Sequence, residues 1–186
     1  MILRHIPNAL TITRLVLIAP FLVFIYQQEY LSAFYVFFAA GVTDGLDGLL
    51  ARHFNWQSLL GSFIDPLADK LLIASSFISL ALIGKLPWWL VLLVFSRDLT
   101  ISFGVVAWYW LVQRKLDFKP TLLSKLNTLL QLSLITFCLF ELAFFKFPPF
   151  LIESLILLTA VTTAGTYIDY VWTWGRKACA KTRQAK

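Results

Sequence analysis

Residues 44–69 read DGLDGLLARHFNWQSLLGSFIDPLAD. Four carboxylates, Asp44, Asp47, Asp65 and Asp69, fall in this stretch, out of ten acidic residues in a chain of 186. Both flanks are apolar: YLSAFYVFFAAGVT precedes it and, after Lys70, LLIASSFISLALIG follows. Carboxylates in a membrane-like segment are costly, and their default reading is functional. Four of them cannot all stay ionised close together without cations, so a divalent metal site is the economical explanation. Asp44 and Asp47 are three apart and share a helix face, with Gly48 and Ala51 on the same side. Asp65 and Asp69 are four apart and share another, with Gly61 one turn earlier. The two helical runs are consecutive and antiparallel, which lets the four carboxylates meet near their short link.

The rest of the chain has the same membrane character. It is 59% hydrophobic and 14% charged, with a mean hydropathy of +0.77; soluble domains carry about 25% charged residues. A spanning helix needs roughly 20 mostly apolar residues. Six candidates fill the chain, at about 8–27, 31–51, 61–84, 87–112, 124–145 and 150–173. The expectation is an all-α integral membrane protein of six transmembrane helices, one domain over 1–186, with a basic tail from about 175. The first run is longer than a signal-peptide core, holds Arg14 and lacks a small-residue cleavage site, so it reads as a retained helix with Asn8 as its N-cap. Cys138 and Cys179 form neither a disulfide framework nor a metal-ligand spacing.

Charge sets the orientation. Arg4, Arg52, the group Arg114, Lys115, Lys119 and Lys125, and the tail residues Arg176, Lys177, Lys181, Arg183 and Lys186 fall on alternate connections. The intervening ones are poor in basic residues. The positive-inside rule puts both termini and the second and fourth links in the cytoplasm, as in a bacterial inner membrane or its equivalent. The carboxylates then lie a turn or two below that surface. A basic face also suits anionic lipid substrates.

Hard oxygen ligands without His or Cys favour Mg²⁺ or Mn²⁺ over Zn²⁺. Mg²⁺ usually combines one or two carboxylates with substrate phosphates, and two such ions can clamp both the attacking and the leaving oxygen of an in-line displacement. Arg52 adds a fixed positive charge for phosphate. Gly48 and Ala51 leave room for a bulky group against the helix. These residues describe a membrane-embedded, metal-dependent phosphoryl-type transferase. Intramembrane Asp residues also serve ion or proton transport, and a transporter is the rival reading from another class.

The pattern D-x2-D-G-x2-A-R-x8-G-x3-D-x3-D resembles the signature of the CDP-alcohol phosphatidyltransferase family. Asp44, Asp47, Gly48, Ala51, Arg52, Gly61, Asp65 and Asp69 occupy every specified position. The resemblance implies displacement of CMP from a CDP-linked lipid by an alcohol, and a homodimer. It implies that Asp44, Asp47 and Asp65 hold two divalent ions with Asp69 close by, and that Asp69 is the base for the acceptor hydroxyl. It places Gly48, Ala51, Arg52 and Gly61 in the CDP pocket. Asn8, Thr11 and Arg14 are candidates for its nucleotide side, although a capping Asn and a snorkelling Arg explain them as well. Ser96-Arg97-Asp98 and FKPTLLSKLNTLLQ (118–131) resemble the cardiolipin synthases of the family more than the phosphatidylglycerophosphate synthases. The expected substrates are therefore CDP-diacylglycerol and phosphatidylglycerol, with glycerol-3-phosphate as the alternative acceptor. Arg97 and Lys125 are candidates for gripping the acceptor's phosphate, set against a structural Arg97–Asp98 pair and a snorkelling lysine. Asn127 and Gln131 share a face and are expected to join helices by hydrogen bonds.

Overall fold

The computed structural model describes residues 6–54, 59–112 and 122–184, with side chains at 11–43, 67–103 and 122–170. Six helices make up the described residues: α1 (Ile6–Tyr26), α2 (Tyr30–Phe54), α3 (Leu59–Leu82), α4 (Trp88–Val112), α5 (Leu122–Ala143) and α6 (Pro149–Gln184). They fall within three residues of the expected spans, apart from the end of α6. α1 starts at Ile6, so Asn8 is inside the helix and not its N-cap; Pro7 occupies the first turn, where no intrahelical N–H is needed. α6 continues to Gln184 and takes up most of the basic tail, because KACAKTRQ holds no breaker.

The first compact unit comprises residues 1–85 and 135–148. Within it α1 packs on both α2 and α3. Ala33, Phe37 and Ala40 present one buried face of α2, where the small residues allow close approach. Phe21 of α1 meets Phe37 with ring centroids 6.0 Å apart. In the same turns of α2, Phe34 packs edge-on against Phe140 and Phe144 of the 135–148 segment at 5.7 and 5.5 Å. Lys85 Nζ donates to Glu141 Oε1 at 3.0 Å, tying the segment after α3 to the same stretch.

Two tight helix ends organise this unit. After α1, Glu29 N–H donates to the Phe24 carbonyl at 2.9 Å and Gln28 N–H to that of Ile25 at 3.1 Å. After α3, Lys85 N–H donates to Leu80 at 2.9 Å and Gly84 N–H to Ala81 at 3.0 Å. Both are Schellman motifs, which need a left-handed residue at the turn. Gly84 supplies it with φ 76°; Gln28 does so with φ 62°, despite its Cβ.

The second unit comprises residues 86–134 and 149–186. Within it α4 packs on α6, and Leu90, Val91 and Val94 of α4 are buried. Between α5 and α6 the contact is polar. The hydroxyls of Thr162 and Thr163 lie 2.9 and 2.8 Å from Asn127 Oδ1. They also lie 2.8 and 2.6 Å from the Leu158 and Thr159 carbonyls of their own helix. One hydrogen per hydroxyl cannot serve both acceptors fully. Turning the Asn127 amide over lets Nδ2, buried without a partner as placed, donate to both hydroxyls. The expected interhelical role therefore holds for Asn127. Gln131 is as deeply buried, but its Nε2 makes no hydrogen bond.

The distribution of side chains is that of a protein in lipid. Val16, Phe38, Leu82, Leu92, Phe103, Leu129, Leu157 and Ile168 face outward, while Thr11, Arg14, Ser76, Arg97, Asn127, Gln131 and Thr163 are buried. Water would favour the reverse; a bilayer lets large apolar groups face the acyl chains and small or polar ones pack helices. Among the described residues, Leu122–Ala143 and Pro149–Tyr170 are long and apolar enough to cross a membrane by length and composition.

Candidate active site

α2 carries Asp44, Asp47, Gly48, Ala51 and Arg52 in its last three turns, and α3 carries Gly61, Asp65 and Asp69 in its first half. The helical spacing expected for both halves of the motif is therefore present. The side chains of these residues other than Asp69, and that of Asn8, lie outside the described set. Among the described residues no three His, Cys, Asp or Glu side chains gather as a metal group.

Asp69 marks the described end of the motif. Its Oδ1 accepts a hydrogen bond from Arg14 Nη1 of α1 at 2.5 Å. Arg14 is completely buried, whereas 43% of the Asp69 side chain remains exposed. The snorkelling alternative for Arg14 is thereby excluded: its charge is turned into the helix packing and neutralised there. Thr11, one turn earlier on α1, is buried too. An accessible hard-oxygen carboxylate suits a divalent cation, so Asp69 fits a place beside the metals, with one oxygen engaged by an arginine. No feature of the sequence joined Arg14 to Asp69. The only available signal was that a cation in an apolar run needs a counter-charge.

In the second unit, Arg97 of α4 is nearly buried. Its Nη1 donates to Asp98 Oδ1 at 2.6 Å and its Nη2 to Ser124 Oγ of α5 at 2.9 Å, while its Nε is buried with no partner. The Arg97–Asp98 pair weighed from the sequence thus forms, together with a link to α5. Lys125, next to Ser124, is exposed in the first turn of α5.

Comparison with known proteins decides the chemistry. The family model "CDP-alcohol phosphatidyltransferase" matches residues 4–169, running through both units. The chain belongs to the CDP-alcohol phosphatidyltransferase family. Members of this family are membrane proteins that depend on divalent metal, and the chain is a CMP-forming phosphatidyltransferase of phospholipid biosynthesis. It is 32% identical to a probable phosphatidylglycerophosphate synthase of Mycobacterium tuberculosis, over 91% of this chain and 81% of that one. It is 36% identical to the human CMP-forming cardiolipin synthase, over 92% of this chain and 62% of that one. A CDP-diacylglycerol–glycerol-3-phosphate 3-phosphatidyltransferase of Aquifex aeolicus is 29% identical, over 89% and 93%. The chain thus spans about three fifths of the human cardiolipin synthase and most of the other two. Membership in a transferase family sets aside the transporter reading.

Proposed function

We propose that this phosphatidyltransferase joins CDP-diacylglycerol to phosphatidylglycerol, giving cardiolipin and CMP. The observation that carries the acceptor assignment is the Arg97–Ser124 hydrogen bond. It joins the Ser96-Arg97-Asp98 and 118–131 segments, the two stretches whose sequences resemble cardiolipin synthases. Arg97 brings a planar donor fork suited to an acceptor phosphate, and Lys125 adds an adjacent exposed charge. The relatives include both kinds of synthase at similar identity, and the M. tuberculosis and A. aeolicus proteins favour glycerol-3-phosphate as the second reading.

The reaction is an in-line displacement. The acceptor hydroxyl oxygen bonds to the phosphorus that carries diacylglycerol, the bond from that phosphorus to the bridging oxygen breaks, and CMP departs with that oxygen. Asp69 accepts the hydroxyl proton. Asp44, Asp47, Asp65 and Asp69 are the residues to hold two Mg²⁺ or Mn²⁺ ions, which when bound offset charge on the phosphates and the leaving group. Asn8, Thr11, Gly48, Ala51, Arg52 and Gly61 line the CDP side, with Arg52 countering phosphate charge. Six spans, one membrane domain, a site opening to the cytoplasmic leaflet, cytoplasmic termini and a homodimer complete the reading. The basic connections and tail support that orientation.

The test is to supply the purified protein with CDP-diacylglycerol and Mg²⁺ or Mn²⁺, and to follow CMP and lipid product with phosphatidylglycerol or glycerol-3-phosphate. Cardiolipin from the lipid acceptor is the expected result. Phosphatidylglycerophosphate from the soluble one, with no cardiolipin, overturns the acceptor assignment and keeps the chemistry.

A further inference from the structure

Arg97 and Asp98 are neighbours in sequence, and neighbouring side chains on a helix do not face one another. Their bond at 2.6 Å therefore has the guanidinium turned sideways along α4 to meet the carboxylate. Within the pair the carboxylate is the more accessible member: 23% of the Asp98 side chain is exposed, against 7% of Arg97's. That surface is not on the outward side of the helix. Leu92, Leu99 and Phe103 mark the outward stripe of α4, whereas Asp98 follows one turn after Val94 and two turns after Val91, both buried. Among the described residues Arg97 is the hydrogen-bond donor to Asp98, through Oδ1, and Oδ2 accepts no bond. The inward side of α4 thus presents an open carboxylate oxygen beside the guanidinium assigned to the acceptor phosphate. An anion that approaches Arg97 also meets the charge of Asp98. Charge–charge energy scales with the charge of the ion, so a dianion is drawn by Arg97, and repelled by Asp98, twice as strongly as a monoanion. The carboxylate cancels much of the advantage that a second negative charge would gain from the guanidinium. The two acceptors differ in this respect. The phosphodiester of phosphatidylglycerol carries one negative charge, whereas a phosphomonoester such as glycerol-3-phosphate carries about 1.5 to 2 at pH 7.

We propose that Asp98 is a specificity-determining residue: its carboxylate offsets the pull of Arg97 on a second negative charge, and so turns the acceptor site toward phosphodiesters and away from phosphomonoesters. This rests on the assignment of Arg97 to the acceptor phosphate. Removing the Asp98 charge should tighten binding of both kinds of anion, and of the dianion more. A carboxylate that only neutralised a buried arginine for the sake of the fold would, when removed, change both alike.

The experiment uses the full chain in detergent with Mg²⁺. Dissociation constants are measured by isothermal titration calorimetry for glycerol-3-phosphate and for its methyl ester on phosphorus, a phosphodiester. The two ligands differ by one methyl group and one ionisable oxygen. The wild type is expected to bind the diester more tightly. Asp98→Asn, which keeps the size and removes the charge, is expected to tighten the diester about threefold and the monoester about tenfold, because doubling the charge squares the factor. Asp98→Glu keeps the charge and is expected to hold the ratio of the two constants within about twofold of wild type. Equal tightening of both ligands in folded Asp98→Asn overturns the proposal, as does weakening of both or an unchanged ratio. Loss of discrimination in Asp98→Glu to the level of Asp98→Asn also overturns it. If Asp98→Asn does not fold, the wild type decides: tighter binding of the diester supports the proposal, and equal or tighter binding of the monoester overturns it. If the wild type makes no cardiolipin from phosphatidylglycerol, the proposed function fails at its acceptor, while the binding series still reports whether Asp98 discriminates by charge.

Discussion

Asp65 and Asp69 are one helical turn apart on α3, and the proposed mechanism gives them different work. Asp65 is assigned to the metals alone. Asp65→Asn keeps size and hydrogen-bonding capacity but removes the charge, so CMP release should fall at least a hundredfold while the unfolding midpoint shifts little. Near-normal release from a folded variant would remove Asp65 from the metal set. Arg97 is separable from both. Arg97→Lys keeps a charge but gives up the simultaneous bonds to Asp98 and Ser124. Its expected signature is an acceptor KM raised about tenfold with the KM for CDP-diacylglycerol unchanged; an equal rise in both would place Arg97 outside the acceptor side. At this scale the sequence was informative where chemistry is local. Motif spacing identified the eight residues, and adjacency suggested the Arg97–Asp98 pair. Arg14–Asp69 and Arg97–Ser124 join residues 55 and 27 positions apart, and no periodicity encodes such a partnership.

Between elements, the two Schellman ends make a matched comparison. Gly84 meets the left-handed requirement without steric cost, and a Cβ there would touch nothing within 4 Å. Gly84→Ala should nevertheless destabilise the protein by about 1 kcal/mol, because the cost lies in the backbone conformation and not in a clash. Gln28→Gly should do the reverse and stabilise by about 0.5–1 kcal/mol, part of the relief being returned as unfolded-chain entropy. Denaturant titration of both variants in one detergent reads the opposite signs directly. Glycine made the second turn visible in the sequence, whereas a left-handed glutamine leaves no signal. The length of α6 was missed for a related reason: charge was read as an end to the helix, but Lys, Arg and Ala are good helix formers and only the membrane ends there. At 36 residues α6 is about 54 Å long against a hydrocarbon core of about 30 Å. The α5–α6 contact through Asn127 was anticipated because a polar residue in lipid has few other partners. Asn127→Leu should cost about 0.6–1.7 kcal/mol, the range for such bonds in membranes.

For the molecule as a whole, one site has to bring polar phosphates to ions while acyl chains stay in lipid. Outward-facing Leu, Val, Ile and Phe provide the lipid contact, and polar groups turned inward provide the rest. Chelating divalent metal should abolish CMP release, and adding back Mg²⁺ or Mn²⁺ should restore it; activity that survives chelation would exclude the carboxylate assignment. Reporter fusions after residue 186 should place the C-terminus in the cytoplasm, and the opposite result would overturn the charge-based orientation. The bond between α1 and α3 also bears on how the protein is made. An arginine at the middle of a spanning helix costs about 2.5–3.5 kcal/mol on insertion scales. Arg14 leaves the ribosome 55 residues before its counter-charge, Asp69. The first helix of a nascent chain truncated before Asp69 should therefore sit less firmly in the bilayer than that of a chain extending through α3, a difference that glycosylation mapping of such truncations can read. The carboxylate proposed as the base for transfer would then act first during biogenesis, as the anchor that lets its own first helix settle.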